Sequence, residues 1–289
     1  GRLVTNPDSN GRYHSDWLSM MYPRLKLARN LLKDDGVIFI SIDDNEAHNL
    51  RKVCDEVFGE GNFVGNTVRV SSPSQNTSKF ISIMHDYTLV YCKNITLNQG
   101  GWSVKKLNVD EFTKRAESLI KKGLSIADIQ KELRVLTKYP RFYDFDHYNL
   151  CDQTGVFRAG PMGGVKTGNT TTEVLHPKTG ASCAKPRGGW RYNEEKLEIL
   201  ISSGQIFFGE DETVVPQRKL YLRDYIEQVP KGVNFFDTQK DVKFLQKSKL
   251  PFDFPKPKDY IKYFLEMVGS KSDIILDFFS GSATTAQAV

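Results

Sequence analysis

Apolar positions recur at helical spacing over residues 15–33, where Trp17, Leu18, Met21, Leu25, Ala28 and Leu32 form one face. Ser15 can cap this helix, Asp34-Asp-Gly36 stops it, and Pro23 inside the pattern predicts a kink or restart. Val37-Ile-Phe-Ile-Ser-Ile42 is a near-continuous apolar run, the pattern of a buried parallel strand. Asp43-Asp-Asn-Glu46 has the spacing of a capping box for a second helix carrying Ala47, Leu50, Cys54, Val57 and Phe58. Gly59-Glu-Gly61 closes that helix. Phe63 to Val70 alternates as a strand, Ser71 to Lys79 is polar and reads as a loop, and His85 to Lys93 reads as a strand antiparallel to the first.

The pattern changes in the middle of the chain. Phe112, Ala116, Leu119 and Ile120, then Ile126, Ile129, Leu133 and Leu136, predict helices within 109–137. Residues 139–190 are rich in Gly, Thr, Tyr, Arg and Pro, with short strands at best. A helix and then Gln205-Ile-Phe-Phe208 follow, and 213–245 mixes short strands with polar turns. Near the end an α/β pattern returns. Pro257 suits the first turn of a helix with Ile261, Phe264, Leu265 and Val268 on one face. Ile274, Ile275 and Leu276 read as a buried parallel strand that ends at Asp277. Phe279-Ser-Gly-Ser282 is a tight turn, and Thr284 to Val289 opens a helix. The simplest architecture is an α/β domain split into 1–94 and 246–289, carrying an inserted mixed α+β domain at 95–245.

Composition narrows the class. The 289 residues are 39% hydrophobic and 26% charged, which indicates a globular chain. No stretch approaches the ~20 apolar residues of a membrane span, and the first ten residues are too polar for a signal peptide. Cys54, Cys92, Cys151 and Cys183 are scattered, as in a reduced cytoplasmic protein. The histidines show no metal-binding spacing, so no metal is expected. Net charge is +5, and 101–190 alone holds 15 Lys or Arg against 9 Asp or Glu. That local surplus suits a surface meeting phosphates, and equally a solvated lysine face. The chain starts at Gly1 without methionine and stops barely a turn into its last helix, so it is expected to be a piece of a longer protein.

Three stretches carry candidate chemistry. A strand, glycine turn and helix start at 274–289 let backbone amides approach a nucleotide-like ligand, and equally make an ordinary strand-to-helix turn. Asp43 or Asp44 lies at the carboxyl end of a predicted strand, where ligands bind in open α/β sheets, unless both merely cap the helix. Gly160-Pro-Met-Gly-Gly-Val-Lys166-Thr167 fails as a phosphate loop, because Val165 stands where glycine must precede the lysine. Lys185-Pro-Arg-Gly-Gly-Trp-Arg191, with Tyr139 and Arg141-Phe-Tyr143, mixes cations and rings in a way that suits phosphate and base contacts. Trp190 itself reads as core.

Lys256-Pro257, the helix after it, Asp-Ile-Ile-Leu-Asp277 and Phe-x-Gly-Ser-x-Thr-Thr resemble the cofactor half of amino-group DNA methyltransferases. Gly11-Arg-Tyr-His-Ser-Asp-Trp, Gly36-Val-Ile-Phe-Ile-Ser-Ile-Asp-Asp-Asn-Glu46, His85-Asp-Tyr-Thr-Leu-Val-Tyr91 and Gly188-Gly-Trp-Arg191 extend the match. Together they resemble the modification subunit of type III restriction–modification systems. The resemblance implies a Rossmann-like S-adenosylmethionine-dependent sheet with an inserted target-recognition domain. It implies methyl transfer to adenine N6 in double-stranded DNA, a homodimer, and a helicase–nuclease restriction subunit as partner. It implies cofactor contacts from Asp277, Phe279, Ser280, Gly281 and Ser282, with Lys256 and Pro257 near the methionine part. Ala283 replaces the family's last turn glycine, and a right-handed conformation would accommodate it. The family's Asp-Pro-Pro-Tyr, which grips the flipped adenine, is absent from these 289 residues, so the polypeptide alone is expected to be inactive. A non-catalytic module that binds DNA or a partner is the alternative, and methylation of RNA or a small molecule a weaker one.

Overall fold

The computed structural model describes residues 11–70, 80–98, 100–236, 239–247, 252, 255–270 and 272–289. The predicted loop at 71–79 lies outside them. The chain divides into two compact units, Gly1–Val104 with Val229–Val289, and Lys105–Gln228. The second unit begins and ends inside the 95–245 stretch that composition marked out.

The first unit opens with α1 (Tyr13–Leu31), β1 (Val37–Ile42), α2 (Ala47–Phe58), β2 (Phe63–Val70) and β3 (His85–Cys92). Its sheet runs in the order β1, β3, β2, then the strand Val233–Phe235. β3 is antiparallel to both β1 and β2, as expected for β2, and only β2 and Val233–Phe235 are parallel. The reading of β1 as a parallel strand is therefore corrected. Its unbroken apolar run reflects helices on both faces, which says nothing about strand direction.

Strand register assigns the faces, because successive side chains alternate. Ile38 pairs with Tyr91 and Ile40 with Leu89. These four share one face and join a core with Leu25 of α1 and Leu50, Cys54 and Phe58 of α2. Each such buried leucine or phenylalanine contributes about 1.5–3 kcal/mol. The opposite face carries Phe39, Ser41, Thr67, Arg69, Asp86 and Thr88. The helix Lys258–Val268 packs there, with Phe264 stacked on Phe39 at 4.7 Å and the Tyr260 hydroxyl 2.5 Å from Thr88 Oγ1. Its buried face is Tyr260, Tyr263, Phe264 and Met267, one residue round from the predicted one, because the tyrosine rings bury as well as the aliphatic groups. Helix, sheet and helix form three layers.

Several local readings are also corrected. α1 runs unbroken through Pro23, which is exposed, so the amide bond lost there frees a carbonyl that water can reach. It starts at Tyr13, and Ser15 Oγ donates back to the Arg12 carbonyl (3.0 Å) instead of capping. α2 starts at Ala47, with Glu46 at the cap position and no side-chain cap bond, so no capping box forms. Ile274–Leu276 is not a strand, and Ile274 is 91% exposed. Among the described residues no strand pairs with this run, and a lone strand has no ladder to hold it. Ala283 takes the left-handed conformation (φ 57°, ψ 31°), not the right-handed one. Its amide bonds back to the Ser280 carbonyl (2.7 Å), which closes the turn at a backbone cost of about 1–2 kcal/mol.

In the second unit, α3 (Val109–Lys121) and α4 (Ile126–Leu136) form where the periodicity predicts them. Phe112, Phe142 and Phe145 fill the core beside them. An antiparallel sheet follows, in the order Leu150–Asp152, Gly155–Pro161, Gln217–Tyr221, Ile206–Phe207. A second core surrounds Trp190 with Met162, Val174, Cys183, Leu197 and Leu200, and Trp190 Nε1 donates to the Thr172 carbonyl (3.1 Å). The glycines of 160–168 serve this packing. A Cβ on Gly163 would stand 2.4 Å from Pro186 Cβ, and one on Gly168 2.5 Å from the Trp190 carbonyl oxygen. The loop lies against 186–190 and is no phosphate cradle.

Candidate functional site

The carboxyl end of β1 opens onto a cleft of about 340 Å³ in the first unit. Tyr13 and Trp17 line it from α1, Ser41 and Ile42 from β1, and Asp43, Asn45 and Glu46 from the turn that follows. Lys256, more than 200 residues away in sequence, completes the wall. The helix Lys258–Val268 delivers it. Pro257 is buried at the start of that helix, and its carbonyl accepts from the amides of Tyr260 (3.0 Å) and Ile261 (3.3 Å).

Each polar wall residue is held in place. Asp43 Oδ1 accepts from the Asn45 amide (3.1 Å), a local turn that keeps its carboxylate at the strand end. Glu46 is buried, and its carboxylate accepts from Asn49 Nδ2 (2.8 Å) and lies 2.7 Å from His14 Nδ1. Ser41 Oγ is 2.9 Å from Thr88 Oγ1, which in turn meets the Tyr260 hydroxyl, so a chain of hydroxyls fixes it from behind. Burial pushes the Tyr260 phenol up, out of reach of ionisation near neutrality. Asp44 lies outside the cleft. It is 3.9 Å from His85 Nε2, and its bond to the Tyr87 hydroxyl raises that phenol above its usual range.

Lys256 does not stand alone. Its ammonium meets Asp86, which is also gripped by Arg69 through Nε–Oδ1 (2.8 Å) and Nη2–Oδ2 (2.6 Å). Burial raises the Asp86 carboxyl, but the bonds to Arg69 and the charge of Lys256 outweigh it, leaving it below the usual carboxylate range.

The glycine turn is a separate feature. Asp277, Phe279, Ser280 and Gly281 are exposed, Ser282 is half-buried, and none of them lines the cleft. Asp277 orders the turn itself, accepting from the Phe279 amide (3.1 Å) and the Thr285 hydroxyl (2.6 Å). Gly281 sits against the Phe252 ring, where a Cβ would come within 3.0 Å of Cζ. Of the residues expected at a ligand site, the structure therefore brings Lys256 and Asp43 together and leaves 277–282 apart. Sequence reasoning missed Tyr13, Trp17 and Glu46 as wall residues and the Arg69–Asp86 pair behind Lys256. The available signal was two charges, Arg69 and Asp86, in strands that are otherwise largely apolar.

A sequence profile of the DNA methylase family matches residues 6–289. The chain is 31% identical over 304 residues to the Mod subunit of the type III restriction-modification enzyme EcoP15I of Escherichia coli, covering 100% of this chain and 46% of that protein. It is 34% identical over 283 residues to the StyLTI Mod subunit of Salmonella typhimurium, covering 96% and 38%. It is 30% identical over 286 residues to the type II methyltransferase M.KpnI of Klebsiella pneumoniae, covering 95% and 63%. The chain thus spans about half the length of the curated relatives it matches. With the profile running through both units and through the Lys256 and Asp277 segments alike, this chain belongs to the DNA methylase family.

Proposed function

We propose that the chain is part of a type III restriction–modification DNA methyltransferase that moves a methyl group from S-adenosylmethionine to adenine N6. On this reading Gly1–Val104 with Val229–Val289 is the methyltransferase unit, of Rossmann-like descent, and Lys105–Gln228 is the inserted target-recognition unit. The observation that carries it is the meeting of Lys256 with Ser41, Asp43 and Glu46 in one cleft, since these come from the two motifs that most resemble the family.

The wall chemistry fits the cofactor. Lys256 suits a carboxylate, Asp43 and Glu46 suit an ammonium or sulfonium, and the Tyr13 and Trp17 rings suit a flat or cationic group. When bound, S-adenosylmethionine supplies an electrophilic methyl group. The residues of this chain bind and orient: Lys256 and the acidic pair fix the amino-acid end, and the Phe279–Ser282 turn offers backbone amides to the nucleoside end. No Asp-Pro-Pro-Tyr occurs here to hold the target base, so the polypeptide alone binds without transferring. The same absence supports the second reading, a non-catalytic module that binds DNA or a partner. Double-stranded DNA, a second copy and a restriction subunit are the partners this assignment entails, in the cytoplasm.

Equilibrium dialysis against labelled S-adenosylmethionine, followed by incubation with duplex DNA, tests the proposal. Saturable cofactor binding with no label in DNA is expected. Lack of binding sinks the cofactor assignment, and labelled DNA sinks the claim of inactivity.

A further inference from the structure

The charges behind the cleft do not balance. Asp86 brings one negative charge to two cations, Arg69 and Lys256. Arg69 and Asp86 are each 8% exposed, so water screens this cluster poorly. The carboxylate is saturated: Oδ1 takes Arg69 Nε, and Oδ2 takes both Arg69 Nη2 and the Lys256 ammonium. Arg69 Nη1 is buried with no hydrogen-bond partner. A nearly enclosed net charge of +1 with an unmet donor is costly unless something negative arrives. Only Lys256 of the three lines the cleft, and its side chain is 33% exposed. The unbalanced charge is thus presented to the cleft through one flexible ammonium, which Asp86 holds in place.

We propose that Arg69, Asp86 and Lys256 act as one preformed anion receptor for the carboxylate of an α-amino-acid-type ligand, with Asp86 and Arg69 as the positioning pair that sets the Lys256 ammonium. The acidic groups Asp43 and Glu46 across the same cleft complement a cationic centre, so the wall as a whole reads a zwitterion rather than a simple anion. Preorganisation is the gain. Without Asp86 the lysine side chain would sample several rotamers, and fixing it on binding would cost affinity.

This inference rests on the cofactor reading above, and the test separates the two. Isothermal titration of the purified chain compares S-adenosylmethionine with its decarboxylated analogue, which keeps the sulfonium and an ammonium. The wild-type chain is expected to prefer the carboxylate-bearing ligand by about tenfold or more, the worth of one charge-assisted hydrogen bond. Asp86→Asn should lower that preference to about threefold or less while leaving affinity for the decarboxylated analogue unchanged. A merely structural role would weaken both ligands together and leave the preference intact. Lys256→Gln, at a partly exposed position, should abolish the preference and decides the matter should Asp86→Asn fail to fold, while Lys256→Arg should restore part of it. A wild-type preference near one overturns the receptor and leaves the cofactor assignment standing. A preference unchanged in Asp86→Asn and Lys256→Gln does the same. Failure of the wild-type chain to bind either ligand overturns the cofactor assignment and the receptor with it.

Discussion

Asp152 gives the sharpest energetic prediction. It ends the strand Leu150–Asp152 in the second unit and pairs with Lys219 (2.8 Å), the Tyr221 hydroxyl (2.7 Å) and the Thr154 amide (2.9 Å) and hydroxyl (2.6 Å). Burial raises its carboxyl, but these four partners outweigh that and hold it at about 2, against an ordinary 3.8. The side chain is 22% exposed, so solvent screens the pairing only in part. A depression of nearly two units corresponds to about 2 kcal/mol of stability by linkage. The sign follows from the direction of the shift. A carboxyl with a depressed folded pKa contributes fully above its ordinary value, and the contribution fades as pH falls towards 2. Asp152→Asn should therefore lower the opening free energy of Gly155–Pro161 by about 2 kcal/mol at pH 7 and by far less near pH 2. Hydrogen exchange resolved by mass spectrometry on peptides across 150–161, corrected for intrinsic rates at each pH, measures this without confusing the two units. An equal deficit at both pH values would refute the electrostatic reasoning and leave only a packing effect.

Two further substitutions test local conformation and packing. Ala283→Gly should relieve the left-handed strain and slow exchange in 280–289, by up to about 1 kcal/mol after the added chain entropy of glycine is subtracted; faster exchange would contradict the conformation described. Trp190→Ala should destabilise the second unit by about 3–5 kcal/mol, through the cavity and the lost bond to Thr172, and a urea midpoint shifted by less than a quarter of that would show that the ring is not core.

The sequence disclosed what local spacing controls. α2, α3 and α4 followed from 3.6-residue periodicity, because an amphipathic helix carries its buried face within one segment. β1 was recognisable as a strand but not by direction, since an apolar run records two covered faces and not its partner's orientation. Ile274–Leu276 shows the opposite limit: the residues favour a strand, but a strand exists only in a ladder. Glu46 has capping-box spacing from Asp43, and the helix simply begins after it, which frees its carboxylate for His14 and Asn49. The Arg69–Asp86 pair lies 17 residues apart in sequence across a register that no local rule fixes. Lys256 was legible through its proline and the helix that follows, whereas the wall it joins depended on tertiary packing.

The central claim is that the wall built by Lys256 and the end of β1 receives S-adenosylmethionine. Hydrogen exchange of the chain with and without that cofactor tests it most directly. The account predicts added protection in peptides covering 40–47 and 255–261. Protection confined to other segments, with those two unchanged at saturating cofactor, would contradict it.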